Sequence, residues 1–237
     1  AATQTGAISG TGLELIGTGP YTLNLATNDV TTIAANTTSA VNFRDANALL
    51  VGTVNATVGL VSGGTDITVQ TGGTLGIGDV ITAGAGDVTL NSSGAVTQTA
   101  AVTGAGLDLL GAGPFTLTLG TNNVTTIAGS ATGNIAYTDS NALIIGTVAS
   151  VGLSTTGSVT LITSGALTQT DPVVGTTLTV KTLDNAGSDI TLTNAGNDAD
   201  TIDLRTRNGA DGATAAGTIS FRDSDGFIVD DIETTVD

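Results

Sequence analysis

The sequence predicts an all-β fold, a single-stranded right-handed parallel β-helix (β-solenoid) of about 9 to 12 coils at ~20 to 25 residues each. Three observations carry that expectation. Short apolar bursts alternate with period two, and no stretch sustains helical periodicity. A long segment recurs with few changes, and its copies differ in length by about one coil.

The strands come first. "YTLNL", "VTTIA", "ALLVG", "DITVQ", "DVTLN", "FTLTL", "SVTLI", "TLTV" and "DITLT" follow one another along the chain, separated by Gly, Asn, Asp, Ser and Thr. β-Branched Thr, Val and Ile suit a pleated, half-buried surface, and the separators supply the tight-turn geometry of corners. The expected core is stacked Val, Ile, Leu and Ala, with threonine on the outside.

The repeats come next. "TQTGAISGTGLELIGTGPYTLNLATNDVTTIA" at residues 3–34 matches "TQTAAVTGAGLDLLGAGPFTLTLGTNNVTTIA" at 97–128, and a third copy opens with "TQTDPVVGTTLTV" at 168–180. Thr5 to Thr99 spans 94 residues and Thr99 to Thr170 spans 71, so the second copy is 23 residues shorter. Removing 23 residues from a tandem β-sandwich would delete about two strands and open its core. In a solenoid the same deletion removes one coil, and the neighbours restack at the strand spacing. The missing stretch corresponds to "GGTDITVQTGGTLGIGDVITAGAGD". Few aromatics, 2 Tyr and 4 Phe with no Trp, also fit poorly with a sandwich core. One continuous β-helix over residues 1–237 is expected, with internal repeats at 1–96, 97–167 and 168–237. Copy three carries an expansion, mostly "LRTRNGADGATAAG" at 204–217, which reads as a loop bulging from a corner.

Composition limits the chemistry. The 237 residues include no Cys, His, Met or Trp, which removes thiolate nucleophiles, thiolate zinc sites and the usual neutral-pH base. Carboxylate, Lys or Arg chemistry and hard cations such as calcium remain. A net charge of −16 excludes nucleic acid as an expected partner, because that needs a basic surface. With 40% hydrophobic and 11% charged residues, the chain should fold rather than remain disordered. No apolar run approaches the ~18 to 20 residues of a membrane span, so direct membrane insertion is not expected. The opening "AATQTGAISG" has neither the basic nor the apolar region of a signal peptide, so any such peptide is expected upstream or already removed.

The runs "GALTQT", "TTLTVKTLDNAGSDITLTNAGNDADTIDLRTRN", "NALLVG" and "NALIIG" resemble the β-strand repeats of very large exported bacterial proteins related to filamentous haemagglutinin. The resemblance covers nearly the whole chain. It implies a long right-handed β-helical shaft in a secreted or surface-exposed adhesin. It transfers no catalytic motif.

The candidate sites lie in the charged clusters. "NFRDANALLVGTV" (42–54) returns as "AYTDSNALIIGTV" (136–148) and "SFRDSDGFIVDDI" (220–232), placing Asp45, Asp139 and Asp223 at one position of the three copies. Each is followed two residues later by Asn47, Asn141 or Asp225. The pattern fits a corner in which Asp accepts backbone N–H groups; a calcium loop of the EF-hand type would need further ligands and a closing Glu. "NAGNDADTIDL" (194–204) resembles one turn of a glycine- and aspartate-rich calcium-binding repeat. The calcium candidates are therefore Asp198, Asp200, Asp203, Asp223 and Asp225, in a region (171–237) that holds 13 of the 21 acids. Catalysis is not expected: Arg44–Asp45 and Arg222–Asp223 are the repeated acid–base neighbours, copy two has Thr138 in the arginine's place, and exposed ion pairs are the simpler reading.

The expectation for function is a non-enzymatic structural or adhesive segment of a long secreted or cell-surface fibre, requiring no cofactor. Its expected partners are host-cell, neighbouring-cell or matrix surfaces, carbohydrate or protein, with head-to-tail self-stacking at open strand edges. A carbohydrate-binding or carbohydrate-cleaving β-helix is the alternative.

Overall fold

A computed structural model describes residues 1–234, and it is built from β-strands and their corners, with no helix among them. The strands pair in parallel into one winding sheet, a β-solenoid of about 10 turns. Each turn visits three faces. The turn that begins at Ile67 shows the plan: Ile67–Thr71 lies on face A, Leu75–Ile77 on face B and Ile81–Thr82 on face C, before Val88–Ser92 returns to face A. Among the described residues the one antiparallel pair of strands, Thr53–Val54 with Thr57–Val58, belongs to a flap outside this winding.

Registered ladders carry the core. On face B, Leu49, Leu75, Val96, Phe115, Ile135, Val159, Leu178 and Ile202 stand in one column, one per turn. All are buried. On face A, Phe43, Val69, Leu90 and Leu109 make a second column. Five-residue strands such as Ile67–Thr71 and Val159–Thr163 put positions one, three and five inside, the period-two pattern read from the sequence. Many outward positions are polar, with Thr68 over Thr89 and Thr160 over Thr179, while Leu50, Ile144 and Ile162 are apolar residues that also face out.

The corners have a common device. The last inward residue of many strands is Thr or Ser, and its hydroxyl donates to a carbonyl just past the corner. Thr71 Oγ1 donates to Gly73 O (3.0 Å), Ser92 Oγ to Gly94 O (2.9 Å) and Thr163 Oγ1 to Gly165 O (2.6 Å). The bond satisfies a buried hydroxyl and fixes the bend at once.

Ladder connectivity reveals a phase that the sequence reading did not contain. Tyr21 of copy one stands on face A, and its column climbs through Val41, Ile67 and Val88 to Leu107. The matching Phe115 of copy two comes one strand later, on face B. The 94-residue repeat is thus four turns plus one face. From Phe115 the face-B column climbs through Ile135 and Val159 to Leu178, and the matching Ile190 of copy three follows on face C. That is three turns plus one face, so the 23-residue difference is one whole coil. The repeated aromatics Phe43, Tyr137 and Phe221 accordingly lie on faces A, B and C.

Two local expectations change. The strand Asp198–Arg207 continues four residues into the stretch read as loop, because Lys181 and Leu183 pair with Arg205 and Arg207; the loop itself starts at Asn208. Arg44 and Arg222 do not pair with their neighbouring aspartates. In copy one, adjacent residues of a strand point to opposite sides, so Arg44 faces out while Asp45 is buried. The ion pairs among the described residues join Lys181, Arg205 and Arg207 to Asp203, Asp211, Asp231 and Glu233.

Candidate functional site

The residues that mark each copy meet in a polar clasp. Asn28 is fully buried, and its amide exchanges two hydrogen bonds with Gln4: Gln4 Nε2 donates to Asn28 Oδ1 (2.7 Å) and Asn28 Nδ2 donates to Gln4 Oε1 (3.0 Å). Asn28 Oδ1 also accepts from Ile8 N (2.9 Å), while Nδ2 reaches the carbonyls of Leu23 (3.0 Å) and Arg44 (2.9 Å). One amide therefore links the turn of Gln4, its own turn and the turn of Arg44. Every lone pair and proton of the side chain has a partner.

The clasp recurs with Gln98 and Asn122, and again with Gln169 and Asn197. Asn122 donates to Leu117 O and Thr138 O, and Asn197 to Leu192 O and Arg222 O, as Asn28 does in copy one. These glutamines and asparagines were missed as functional residues. The signal was present: the "TQT" glutamine and an Asn persist in all three copies, 24 residues apart in copies one and two and 28 in copy three.

The repeated aspartate completes each clasp. Asp45 Oδ2 accepts from Val30 N (2.8 Å), a turn earlier, and Oδ1 accepts from Asn47 N (2.9 Å) across its own corner. Asp139 does the same with Val124 N (2.9 Å) and Asn141 N (2.8 Å), and takes a third bond from the Tyr137 hydroxyl (2.7 Å). Burial holds the Asp139 carboxyl above the ordinary carboxylate range despite these donors. The same burial raises the Tyr137 phenol, so it stays protonated as a donor. Phe43 stands in Tyr137's place in copy one, with no hydroxyl to give.

The calcium candidates are distributed rather than gathered. Asp223 uses its oxygens as its two counterparts do, accepting from Ala199 N (3.0 Å), Asp225 N (3.2 Å) and Gly226 N (2.9 Å). Burial raises the Asp223 carboxyl, but those backbone donors outweigh it and leave the group below its ordinary value. Asp225 is exposed beside it. Asp203 is bound at both oxygens by Arg205 (2.6 and 2.9 Å). Asp198 and Asp200 are exposed and line a shallow groove of about 190 Å³ with Thr155, Val174, Gly175 and Thr176. Among the described residues no three acids converge on one point that could hold a metal ion.

A second feature that sequence reading missed is a pair of flaps. In copy one, residues 52–59 leave the sheet between Leu49–Val51 and Leu60–Val61 and return, closed at the neck by Gly59 N donating to Gly52 O (3.1 Å). The partner strand has only Ala34 opposite this excursion, since Ile33 pairs with Val51 and Ala35 with Leu60. The flap folds down over the outer surface. Asn55 Nδ2 and Thr57 Oγ1 donate to Glu14 at 2.7 and 2.6 Å, and Val54 covers Gly12, where an added methyl would sit 3.0 Å from it. Thr53 Oγ1 meanwhile reaches up to Asp79 (2.7 Å). Copy two repeats the arrangement with a flap one residue shorter, 146–152, closed by Gly152 N donating to Gly146 O (3.0 Å). Val148 covers Gly106, Ser150 Oγ meets Asp108 Oδ2 (3.3 Å), and Thr147 Oγ1 reaches Asp171 (2.8 Å).

This is a repeat-built parallel β-solenoid in which recurring polar residues fasten one turn to the next. Among known families, the model of a family described as repeats of unknown function (DUF5649) matches residues 132–204, a stretch of roughly three turns. No curated protein and no solved structure matches the chain.

Proposed function

We propose that this chain is a non-enzymatic structural and adhesive segment of a long secreted or cell-surface fibre, similar to the shafts of adhesins related to filamentous haemagglutinin. The observation that carries this reading is the use made of the repeated polar residues. Gln4, Asn28 and Asp45, with their counterparts in the other copies, spend their hydrogen-bonding capacity on bonds between turns and across corners rather than presenting it to a ligand. Residues kept for catalysis would be left free in a cleft. Residues kept for stiffness would be tied between coils, as these are. Ten turns at the strand spacing give a rod of roughly 45 Å. Its proposed partners are carbohydrate or protein surfaces of a host, a neighbouring cell or a matrix, together with further copies stacked head to tail.

Electron microscopy of the native assembly tests the proposal. A continuous rod with this segment inside it is expected; a discrete globular particle overturns the reading, as would turnover of a polysaccharide by the isolated chain.

One observation favours the second reading, a carbohydrate-binding β-helix. Asp198 and Asp200 line the shallow groove beside Thr155 and Thr176, where a hydroxylated ligand or a calcium ion would find oxygen ligands and hydrogen-bond partners. Thermal melting with calcium and with chelator separates the two. An unchanged melting temperature leaves the groove without a cation role, since a ligand that binds only the folded state must raise it.

A further inference from the structure

The two flaps occupy equivalent places, yet their anchoring acids sit in opposite environments. Glu14 has both oxygens bonded, one by Asn55 and one by Thr57. Asp108 is fully buried between the core residues Leu107 and Leu109, with its side chain on the outer side of the strand beneath the flap. Its Oδ2 has the long contact from Ser150, and its Oδ1 has no hydrogen-bond partner among the described residues. Asp87 adds a like charge from the preceding turn; its Oδ1 comes so close to Gly106 that an added methyl there would lie 2.7 Å away.

Copy three supplies an internal control. Strands Val159–Thr163 and Val173–Leu183 pair so that Thr177 and Thr179 stand where Gly106 and Asp108 stand in copy two. There is no acid, no glycine, and no flap among the described residues: Ile228–Glu233 continues as a strand where the flap would leave the sheet. Gly-x-acid and flap are present together or absent together. The acid is therefore part of the flap's seat and not a chance outer residue.

We propose that the two flaps are proton-controlled latches of opposite sign: segment 52–59 is held down by ionised Glu14 and released by acid, whereas segment 146–152 is held down over protonated Asp108 and loosened when that carboxyl ionises. The charged groups facing each seat are few. Flap one meets Glu14 below and Asp79 above; flap two meets Asp108 below, with Asp87 beside it, and Asp171 above. Among the described residues no cation pairs with Asp108 to compensate its charge.

The directions agree with the geometry. The Thr57 and Asn55 donors hold Glu14 below its ordinary value, so the closure it provides is present above the usual glutamate range and lost as pH falls. Burial, with Asp87 adding to it, holds Asp108 above its ordinary value against the Ser150 contacts. The closure of flap two is then fully present below the usual aspartate range and lost as pH rises through the raised value.

Hydrogen exchange of the whole chain across acid and neutral pH, corrected for intrinsic exchange chemistry, reads both flaps in one sample. On going from neutral to acid, amides of residues 53–58 should lose protection several-fold while those of 147–151 gain it. Asp108→Asn should flatten the second profile and leave the first unchanged; Glu14→Gln should do the reverse. Each flap serves as the other's control, so a variant that folds poorly does not block the test. Parallel changes in the two flaps, no change in either, or an undiminished pH dependence of 147–151 in Asp108→Asn would each overturn the proposal.

Discussion

Asn122 shows how much one buried amide can hold. Its five hydrogen bonds join Gln98, Val102, Leu117 and Thr138 across three turns. Asn122→Ala strands several buried polar groups at once and should cost about 2 to 4 kcal/mol, read from the denaturation midpoint. Tyr137→Phe removes one donor to Asp139 and should cost only ~0.5 to 1.5 kcal/mol, because copy one already works with Phe43 in that place. The clasp aspartates also differ in how they respond to protons. Asp223 sits below its ordinary value, so its corner is stabilised above the usual aspartate range and weakened as pH falls. Asp139 sits above it, so its contribution is present at low pH and declines as pH rises through the raised value. Amide exchange at Ala199 and Val124, the backbone donors to these two carboxylates, should therefore shift in opposite directions.

At the scale of the strand, the column is the unit that matters. Leu90 lies between Val69 and Leu109 with no exposed surface, so Leu90→Ala leaves a void in a stack that cannot collapse sideways. The expected loss is about 2 to 5 kcal/mol, measurable by chemical denaturation. Thr163→Val keeps the volume but leaves Gly165 O without its donor, for ~1 kcal/mol. Much at this scale was legible beforehand. Period-two bursts such as "DITVQ" and "SVTLI" gave strands whose inside and outside are those seen, and the Asp–x–Asn corners fold as Asx turns. The flaps were not legible, because "GTVNATVG" has the same Val and Thr content as any strand. What distinguishes it is a contact with Gly12 and Glu14, some 40 residues earlier, that only folding supplies. The clasps lay between: their residues recur visibly, but an exposed-looking Gln in "TQT" gives no hint that it meets a buried Asn on the next turn.

For the whole molecule, the coil is the quantum of length. Deleting residues 67–87 joins Asp66 to Val88, and Asp66 then occupies the place Asp87 held before Val88. The chain should fold into a rod one turn shorter, by roughly 5 Å, detectable by small-angle scattering with an unchanged β-type circular dichroism spectrum. A deletion of half that length should abolish folding, because every later strand would face the wrong side. Copy two, one coil shorter than copy one, is a natural instance of the permitted deletion. The 23-residue arithmetic made the solenoid legible from sequence, whereas the one-face advance per copy did not show. Turn lengths vary from 18 residues (Thr32 to Leu50) to 29 (Ile190 to Ile219), so residue counts alone cannot locate a face.

That advance has a consequence for what a neighbour of the rod would encounter. Because Phe43, Tyr137 and Phe221 fall on successive faces, the repeated motif winds about the axis like the thread of a coarse screw. A flat surface lying along one side would touch the motif once in three copies, while partners approaching from three directions would each find it. Near-identical copies meanwhile do not lie directly above one another, so whole repeats are kept from the in-register stacking of identical segments by which repetitive β-sequences aggregate.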